Sequence, residues 1–407
     1  MALIATLTLT FKIQPVKAER TIYIRADGSV DPPTAPISTV DNVTYTFTDN
    51  IYDSIVVERD NIVVDGGGFV LQGAGEGNGI SLLARSNVTI KNIGIKAFDN
   101  GIWLCRSSNN SISGNNITDN GDAIRLHDHS NDNSISRNNI ENNLAGIWLY
   151  GSSSYNSVSG NNIRASEEYS IALLYCSNNT VFGNNITNNN YGIFLYDSSN
   201  NSICHNSLVN NTNQAYVYTS KSVSAWDYGY PSGGNYWSNY PGVDADSDGI
   251  GDTPYILNAD NTDRYPLMAP FKTFDAGTWS GVTYKVDVVS NSTVSDFYFN
   301  PDEGAFLRFN VTGSSGTTGF SRVAIPKQLL WTENAWVVLV DHEPIIPTVT
   351  EDDNHTYLYF TYSHSTKTAT IIGINAIPEF PSAIILSLFM AFTMLAVAFL
   401  KRDISEN

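Results

Sequence analysis

The sequence is poor in basic residues and in cysteine, and both shortages narrow what the protein can do. It has 22 basic residues against 40 acidic ones. Too few are basic to form the surface that neutralises nucleic-acid phosphates, so we expect no nucleic-acid partner. The three cysteines, Cys105, Cys176 and Cys204, lie far apart without a CxxC pair. This spacing excludes a disulfide framework and a zinc site, and we expect small residues of a repeat instead.

What the sequence does have is a repeat of 22 or 23 residues. An asparagine followed one or two positions later by Ile or Val recurs at this interval, with a longer first interval of 26 residues. Its members are Asn61, Asn87, Asn110, Asn133, Asn156, Asn179 and Asn201. A second series has the same period: Asn115, Asn138, Asn161, Asn184 and Asn206. Two aliphatic series run in step with them: Ile80, Ile102, Ile124, Ile147, Ile171 and Ile193, and Leu82, Leu104, Leu126, Leu149, Leu173 and Leu195. Repetition at this period predicts a solenoid.

Each period contains three short stretches of alternating apolar and polar residues, for example Ser111–Ser113, Asn116–Thr118 and 123–126. Such alternation indicates strands with one buried face, and the Gly, Asn, Ser and Asp residues between them favour turns. No stretch has helical spacing, and the LxxLxL core of leucine-rich repeats is missing. We therefore predict an all-β fold, a right-handed parallel β-helix with three strands per coil. The aliphatic series would form interior ladders, and the asparagine amides would bond along the axis at turns.

Composition changes along the chain predict further segments around this solenoid. We expect a signal peptide at 1–18 that lacks its basic start, an N-terminal cap at 19–42, β-helix repeats at 43–214, an aromatic-rich C-terminal cap at 215–272, a β-sandwich at 276–375, a linker with a sorting motif at 376–382, a transmembrane helix at 383–400 and a cytoplasmic tail at 401–407. Lys401 and Arg402 follow the uncharged segment directly, which places the C-terminus inside and the repeats outside the membrane. Many Asn-x-Ser/Thr sequons agree with a glycoprotein.

An acidic loop in the predicted C-terminal cap has the spacing of a calcium site. Carboxylates stand at positions 1, 3, 5 and 9, a glycine at position 6 allows a sharp turn, and position 7 offers a carbonyl. The predicted ligands are Asp244, Asp246, Asp248, Ile250 and Asp252. Tyr255 stands where an EF-hand has its bidentate Glu, so the loop is a shorter DxDxDG type. We predict a structural calcium ion, and the alternative is an exposed acidic turn.

One face of each predicted coil carries residues that point away from the core. Between and after the Ile and Leu positions these are Trp103 and Cys105, Arg125 and His127, Trp148 and Tyr150, Ala172 and Leu174, and Phe194 and Tyr196. Asp99, Asp122, Asp128 and Asp197 lie at the edges of this aromatic surface. Stacked aromatic side chains with neighbouring carboxylates favour sugar binding, and our candidate carbohydrate ligands are Trp103, Arg125, His127, Trp148, Tyr150, Phe194 and Tyr196. The alternative is a face covered by the N-terminal segment, the sandwich or another subunit.

Several motifs add a family resemblance that covers most of the chain. They are IRADG at 24–28, SIVVERDNIVVDG at 54–66, the run from GGNYW to TPY at 233–255, and DRYPL at 263–267. Together they resemble NosD-type right-handed β-helix proteins, a family described as periplasmic and copper-binding, and its archaeal cell-surface members in particular. IPEFPS at 377–382 resembles a PEF-type C-terminal sorting signal. The resemblance implies export and enzymatic removal of the tail. The resemblance also implies copper binding. Copper sites use Cys, Met and His, and the sequence has only four Met and six His, which argues against a copper site.

These features together predict an exported, membrane-anchored cell-surface protein with a structural, adhesive or glycan-binding role. Its partners would be the membrane and a surface glycan or envelope protein. The alternative is a polysaccharide lyase or glycoside hydrolase, because Asp99 and Asp122 fall near one corner of adjacent coils and Arg125 could serve as a lyase base. Both aspartates stand in turn sequences, so no catalytic residue is assigned. Copper handling, for which His127 and His129 share one turn, is a minor alternative.

Overall fold

The computed structural model describes residues 21–219 and 221–377. They form a parallel β-helix of the right-handed type with about eight coils, followed by a β-sandwich. The predicted all-β fold with three strands per coil is confirmed. The predicted signal peptide, transmembrane helix and tail lie outside the described residues, as does nearly all of the linker. Among the residues that are described, no helix is long and apolar enough to span a bilayer.

Strands of successive coils pair in register and form three sheets. Sheet 1 contains, in spatial order, Val30–Asp31, Ile22–Ile24, Ile55–Val57, Asn78–Leu83, Asn100–Cys105, Asp122–His127, Ala145–Tyr150, Tyr169–Leu174, Tyr191–Tyr196 and Asn213–Val217. Sheet 2 contains Ile37–Ser38, Thr44–Phe47, Ile62–Asp65, Val88–Lys91, Ser111–Ser113, Ser134–Ser136, Ser157–Ser159, Thr180–Phe182 and Ser202–Cys204. Sheet 3 contains Val70–Gln72, Gly94–Lys96, Asn116–Thr118, Asn139–Glu141, Asn162–Arg164, Asn185–Thr187, Ser207–Val209 and Tyr236–Trp237. At the N-terminal end, Val30–Asp31 pairs antiparallel with Ile22–Ile24 in sheet 1. Ile37–Ser38 pairs antiparallel with Thr44–Phe47 in sheet 2, so each short strand covers the edge of its sheet.

The interior of the β-helix contains the two predicted aliphatic ladders, together with buried aliphatic residues of sheets 2 and 3. Ile102 pairs with Ile124 and Ile124 with Ile147, and the leucines two residues later pair in the same way. All of these side chains are fully buried. Burial of each stabilises the fold by about 1.5–3 kcal/mol, so the period of the sequence is the period of the core.

The asparagines form hydrogen-bonded ladders at the corners. Asn133 donates from its backbone N–H and its side-chain Nδ2 to the Oδ1 of Asn156, at 2.9 and 3.0 Å. The same bonds repeat along both predicted series, which confirms the axial bonding for Asn110–Asn201 and Asn115–Asn206. A third series, unpredicted, pairs Asn120 with Asn143 and Asn189 with Asn211, and Ser166 holds this position in the coil between the two pairs.

The prediction that Asn61 and Asn87 begin the first ladder is wrong by one residue. Because Thr89 pairs with Ser111, Val88 occupies the position of Asn110. Asn87 is exposed at φ 55° and donates to Asn61 Oδ1 at 3.0 Å. The two patterns look alike because an asparagine that tolerates left-handed backbone and an asparagine that bonds inside the coil both precede an aliphatic residue.

Beyond the last coil, Trp226 and Trp237 are 1% exposed and close the end of the core. The strands Tyr255–Asn258 and Asn261–Asp263 form a hairpin there. One five-stranded antiparallel sheet of the sandwich contains Phe271–Trp279, Val282–Ser290, Thr318–Pro326, His355–Ser363 and Thr348–Glu351. The other contains Thr293–Phe299, Phe306–Thr312, Thr366–Ile372, Val337–Val340 and Glu343–Ile345. A two-stranded pair, Leu330–Trp331 with Asn375–Ala376, and a 3₁₀ turn at Pro301–Glu303 complete the elements.

The sandwich packs against sheets 2 and 3 of the β-helix. Phe271 begins its first strand, and its N–H donates to the Ser207 hydroxyl of sheet 3 at 2.9 Å. The rings of Phe271 and Phe182, the latter on the outside of sheet 2, lie 5.6 Å apart. The outer face of sheet 1 therefore lies on the side of the β-helix away from the sandwich.

Candidate functional site

The outer face of sheet 1 carries two parallel rows of side chains. Row 1 contains one residue from each of six coils, and register pairing places them in line: Trp103, Arg125, Trp148, Ala172, Phe194 and Tyr216. Arg125 lies over the Trp148 ring at 5.3 Å, and the rings of Phe194 and Tyr216 are stacked at 5.9 Å. Alternation along each strand directs these side chains outward, because the neighbouring Ile and Leu fill the core.

Row 2 lies two residues further along the same strands. It contains Cys105, His127, Tyr150, Leu174 and Tyr196, and Tyr218 continues it in the next coil. His127 stacks on Tyr150 at 5.0 Å, and Tyr196 stacks on Tyr218 at 4.9 Å. The structure thus places all seven candidate carbohydrate ligands on one continuous face.

Besides Tyr216 and Tyr218, further aromatic residues outside the predicted set contact these rows, among them Tyr169 and Tyr175. Tyr169 lies between Trp148 and Phe194, with ring distances of 5.9 and 4.6 Å, beside the small Ala172. Tyr175 joins Tyr150 to Tyr196 at 6.0 and 5.1 Å. The sequence carried no periodic signal for either, because Tyr169 occupies a position held by Asn, Asp or Ala in earlier coils and Tyr175 is a turn residue at φ 57°.

The carboxylates at the edge of this face are engaged within the protein. Asp122 is buried and accepts from Arg125 at 3.0 Å. Burial raises the pKa of Asp122, and the Arg125 guanidinium opposes that shift. Asp99 accepts from the Gly77 N–H at 3.0 Å. Because Asp122 pairs with Asn100 in the adjacent coil, it lies one register position away from Asp99. Asp99, Asp122 and Arg125 are thus all held in contacts within the protein.

Row 2 also contains a group of potential metal ligands. One ligand atom each of Cys105, His127 and Asp128 lie within 4.8 Å of one another. Burial raises the pKa of the Cys105 thiol, and the Asp128 carboxylate raises it further. Asp128 also lies 3.5 Å from Arg106. Thiolate and imidazole are ligands that suit copper, so the donor set fits the metal in type.

The predicted calcium loop brings three of its carboxylates together. Ligand atoms of Asp244, Asp246 and Asp248 lie within 4.8 Å of one another. Burial raises the pKa of Asp246, as do Asp244 and Asp252, and burial also raises the pKa of Asp248. Burial is the first cause of both shifts, neighbouring carboxylates add to it, and the Arg322 guanidinium opposes the shift of Asp248. The fourth carboxylate, Asp252, accepts from the Ala245 N–H at 2.7 Å.

A glycine fixes the shape of this loop. Gly249 has φ +86°, and a Cβ there would lie 2.7 Å from the Cδ of Arg322 in the sandwich. Any other residue would be strained at this φ and would meet Arg322. The acidic loop is therefore packed against the sandwich.

Comparisons with known proteins agree with the repeat architecture. The sequence profile of one family, described as periplasmic copper-binding protein (NosD), matches residues 39–152 and 71–242. No curated protein matches the chain. Similar solved structures include the periplasmic alginate epimerase AlgG, at 18% identity and a TM-score of 0.34, over 46% of this chain and 53% of that one.

Two phage tailspikes have comparable scores. The Dettilon tailspike protein gp208 is 14% identical, with a TM-score of 0.32, over 80% of this chain and 72% of that one. The tailspike gp49 from Acinetobacter baumannii bacteriophage Fri1, a capsular polysaccharide depolymerase, is 10% identical, with a TM-score of 0.30, over 84% and 73%. The chain spans about half the length of the epimerase, and likeness at this level carries no argument about activity.

The matches to the family profile are stronger evidence than these structural similarities. Together they cover residues 39–242, half of the 407-residue chain. They include every coil that contributes to the two rows, and their upper limit lies at the start of the acidic loop. The chain belongs to the NosD family of β-helix proteins.

Proposed function

We propose that the protein is an exported cell-surface protein that binds a glycan chain along the outer face of sheet 1. The observation that carries the proposal is the pair of rows rich in aromatic side chains, which runs over six coils on the side away from the sandwich and contains three stacked pairs of rings. Monomeric proteins rarely leave large apolar patches uncovered, and such patches mark binding sites. A protein partner would use the same surface, and it is the competing occupant in the test.

The form of the surface favours a sugar polymer. Coils stack about 4.8 Å apart, so the aromatic rings of each row lie along one line, together with two non-aromatic side chains in each row. Aromatic rings such as Trp148, Phe194 and Tyr196 offer apolar surface to the C–H groups of a sugar ring. Hydrogen-bonding groups stand beside them, among them Arg125 and His127. A repeating ligand matches a repeating site.

Export and anchoring belong to the same proposal. The family is described as periplasmic, which supports a location outside the cytoplasm. The sequence features of residues 1–18 and 377–407 support an exported archaeal surface protein held by a C-terminal helix, with the sandwich between the β-helix and the membrane. In this position the β-helix would present sheet 1 to surface polysaccharide.

A glycan array comparing the wild type with Trp148→Ala tests the proposal. We expect the wild type to bind a subset of acidic or neutral polysaccharides and Trp148→Ala to lose at least tenfold in affinity, because its ring lies in the middle of row 1. Tyr52→Ala removes an exposed aromatic ring outside the rows and should bind like the wild type. An array without any bound glycan would contradict the proposal.

The same array separates binding from catalysis. Release of product from a bound glycan would favour the polysaccharide lyase or hydrolase instead. Asp122, whose pKa is raised by burial, would then be the residue to replace first. A stable complex without release supports a binding protein.

Copper handling is a second candidate, favoured by the Cys105, His127 and Asp128 group together with the family description. These three residues would hold the ion, and copper would supply a redox-active, thiolate-bound centre. We expect Cys105→Ser to lower copper affinity at least tenfold in a competition titration. Cys176→Ser is the matched control, because Cys176 occupies a buried corner position that serine holds in adjacent coils. Equal affinity in both variants would exclude this site.

A further inference from the structure

A cavity of about 210 Å³ lies where the end of the β-helix meets the sandwich. Its walls include the aromatic rings of Phe182, Tyr228 and Phe271 and the polar side chains of His205, Asp287 and Arg322. Tyr228 is 47% exposed and lies at the mouth. Pockets for drug-sized ligands occupy ~300–1,000 Å³, so this cavity suits a single ring.

Arg322 is a buried cation that has no carboxylate within ion-pair distance among the described residues. Burial lowers its pKa, and Asp248 and Asp244 of the acidic loop oppose that shift from further away. Only 3% of the residue is exposed, and its Nη2 donates to the Pro231 carbonyl. Its Nε has no hydrogen-bond partner, and among the described residues no carboxylate forms an ion pair with it. The guanidinium lies over the Tyr357 ring at 4.4 Å, another cavity wall. The buried Nε–H therefore remains as a charged donor for which a bound anion would supply the missing acceptor.

His205 adds an unused acceptor to the same cavity. Its Nε2 lies 3.1 Å from the Ser232 carbonyl oxygen, and because a carbonyl only accepts, Nε2 carries the proton. Nδ1 is then a bare acceptor, and it is buried without a partner. Burial lowers the pKa of His205 to about 4, so the ring is neutral at pH 7. A hydroxyl group on a ligand would satisfy Nδ1.

The remaining walls select a ring with several hydroxyl groups. His205 is stacked on Phe271 at 4.5 Å, and Phe182 and Tyr228 lie at 5.2 and 5.5 Å from the same imidazole. Asp287 accepts from the Thr273 hydroxyl at 2.7 Å through one oxygen, which leaves the other for a ligand. A carboxylate for Arg322, a hydroxyl for His205 and a flat apolar face for the aromatic rings are the three requirements of the site.

We propose that this cavity binds one hexuronate unit, with its carboxylate at Arg322 and a hydroxyl group at His205 Nδ1. The site lies on the side of the β-helix opposite to rows 1 and 2 and does not depend on glycan binding there. A free acidic monosaccharide and the terminal residue of an acidic chain share this chemistry. Water alone in the cavity is the alternative.

Calorimetry on the full chain in detergent, with D-glucuronate and D-galacturonate as probes, tests the site. We expect saturable binding of at least one uronate, and binding of glucose and galactose at least tenfold weaker, because only the uronates bring a charge to Arg322. No saturable uronate binding, or equal binding of the neutral sugars, would overturn the proposal.

Four variants locate the binding. Arg322→Gln should lose at least tenfold in uronate affinity, whereas Arg308→Gln, at an exposed arginine of the other sandwich sheet, should not. Ala324→Leu fills the cavity and keeps Arg322, so it should also abolish binding even if Arg322→Gln fails to fold. Uronate affinity that survives in folded Ala324→Leu would place the sugar elsewhere. Trp148→Ala should leave uronate binding unchanged, which keeps this test separate from that of rows 1 and 2.

Discussion

At the scale of single residues, asparagine has two different roles within one turn. Asn109 is exposed at φ 59°, where its short polar side chain tolerates left-handed backbone. Asn110, the next residue, is buried and uses its amide to bond to Asn133 at 2.9 Å. The period of the sequence reveals both positions, but only the pairing of coils tells them apart. This is why Asn61 and Asn87 could not be assigned from the sequence.

Loss of one buried ladder amide should destabilise the protein strongly. In Asn156→Ala, the backbone N–H and the amide of Asn133 lose their acceptor, and the Ser130 carbonyl loses a donor. Each buried polar group left without a partner costs about 1–3 kcal/mol, so we expect a loss of ~2–5 kcal/mol in the free energy of unfolding. Denaturant unfolding followed by circular dichroism measures this loss.

Asn139→Ala is the matched control for that variant. Asn139 belongs to a similar amide ladder on the outside of sheet 3, with bonds of 2.7 and 2.8 Å to Asn116 and Asn162. Water replaces those bonds, so the expected loss is below ~1 kcal/mol. Equal losses in the two variants would mean that the buried ladders are not a main source of stability.

At the scale of elements, the acidic loop should depend on a divalent cation. Three converging carboxylates repel one another, and the raised pKa values of Asp246 and Asp248 express that repulsion and their burial. Calcium would bind the folded loop only, and at one hundred times its dissociation constant it would add about 2.7 kcal/mol. We therefore expect calcium to raise the melting temperature and a chelator to lower it.

Two substitutions connect this effect to the loop. Asp246→Asn removes a predicted ligand and should abolish the response to calcium. Asp260→Asn removes an exposed carboxylate outside the loop and should retain the response. A melting temperature that is indifferent to calcium in the wild type would identify the loop as an acidic turn without a metal.

The elements themselves were predictable to different degrees. The strands of the β-helix follow from period-two alternation, because one face of each strand is buried and the other is solvated. In the sandwich, the strand Thr318–Pro326 departs from this alternation, because Ser321, Arg322 and Val323 are all buried. One of these residues, Arg322, also lines the cavity between the β-helix and the sandwich.

At the scale of the whole molecule, function depends on which faces are left open. The sequence predicts the outward rows, since register is fixed by the buried Ile and Leu ladders. It contains no information on where the sandwich packs, because contacts such as Phe271 with Phe182 join residues that are distant in sequence. The structure places the sandwich on sheets 2 and 3, and thereby leaves sheet 1 as the surface for a large ligand.

The most direct test of this account measures how affinity for the array's best glycan depends on chain length. If the sugar polymer lies along rows 1 and 2, affinity should rise with each added unit until the chain spans the coils from Trp103 to Tyr216, and then level off. In Phe194→Ala the rise should stop earlier. Affinity that is independent of chain length, or a Phe194→Ala curve that matches the wild type, would contradict glycan binding along sheet 1.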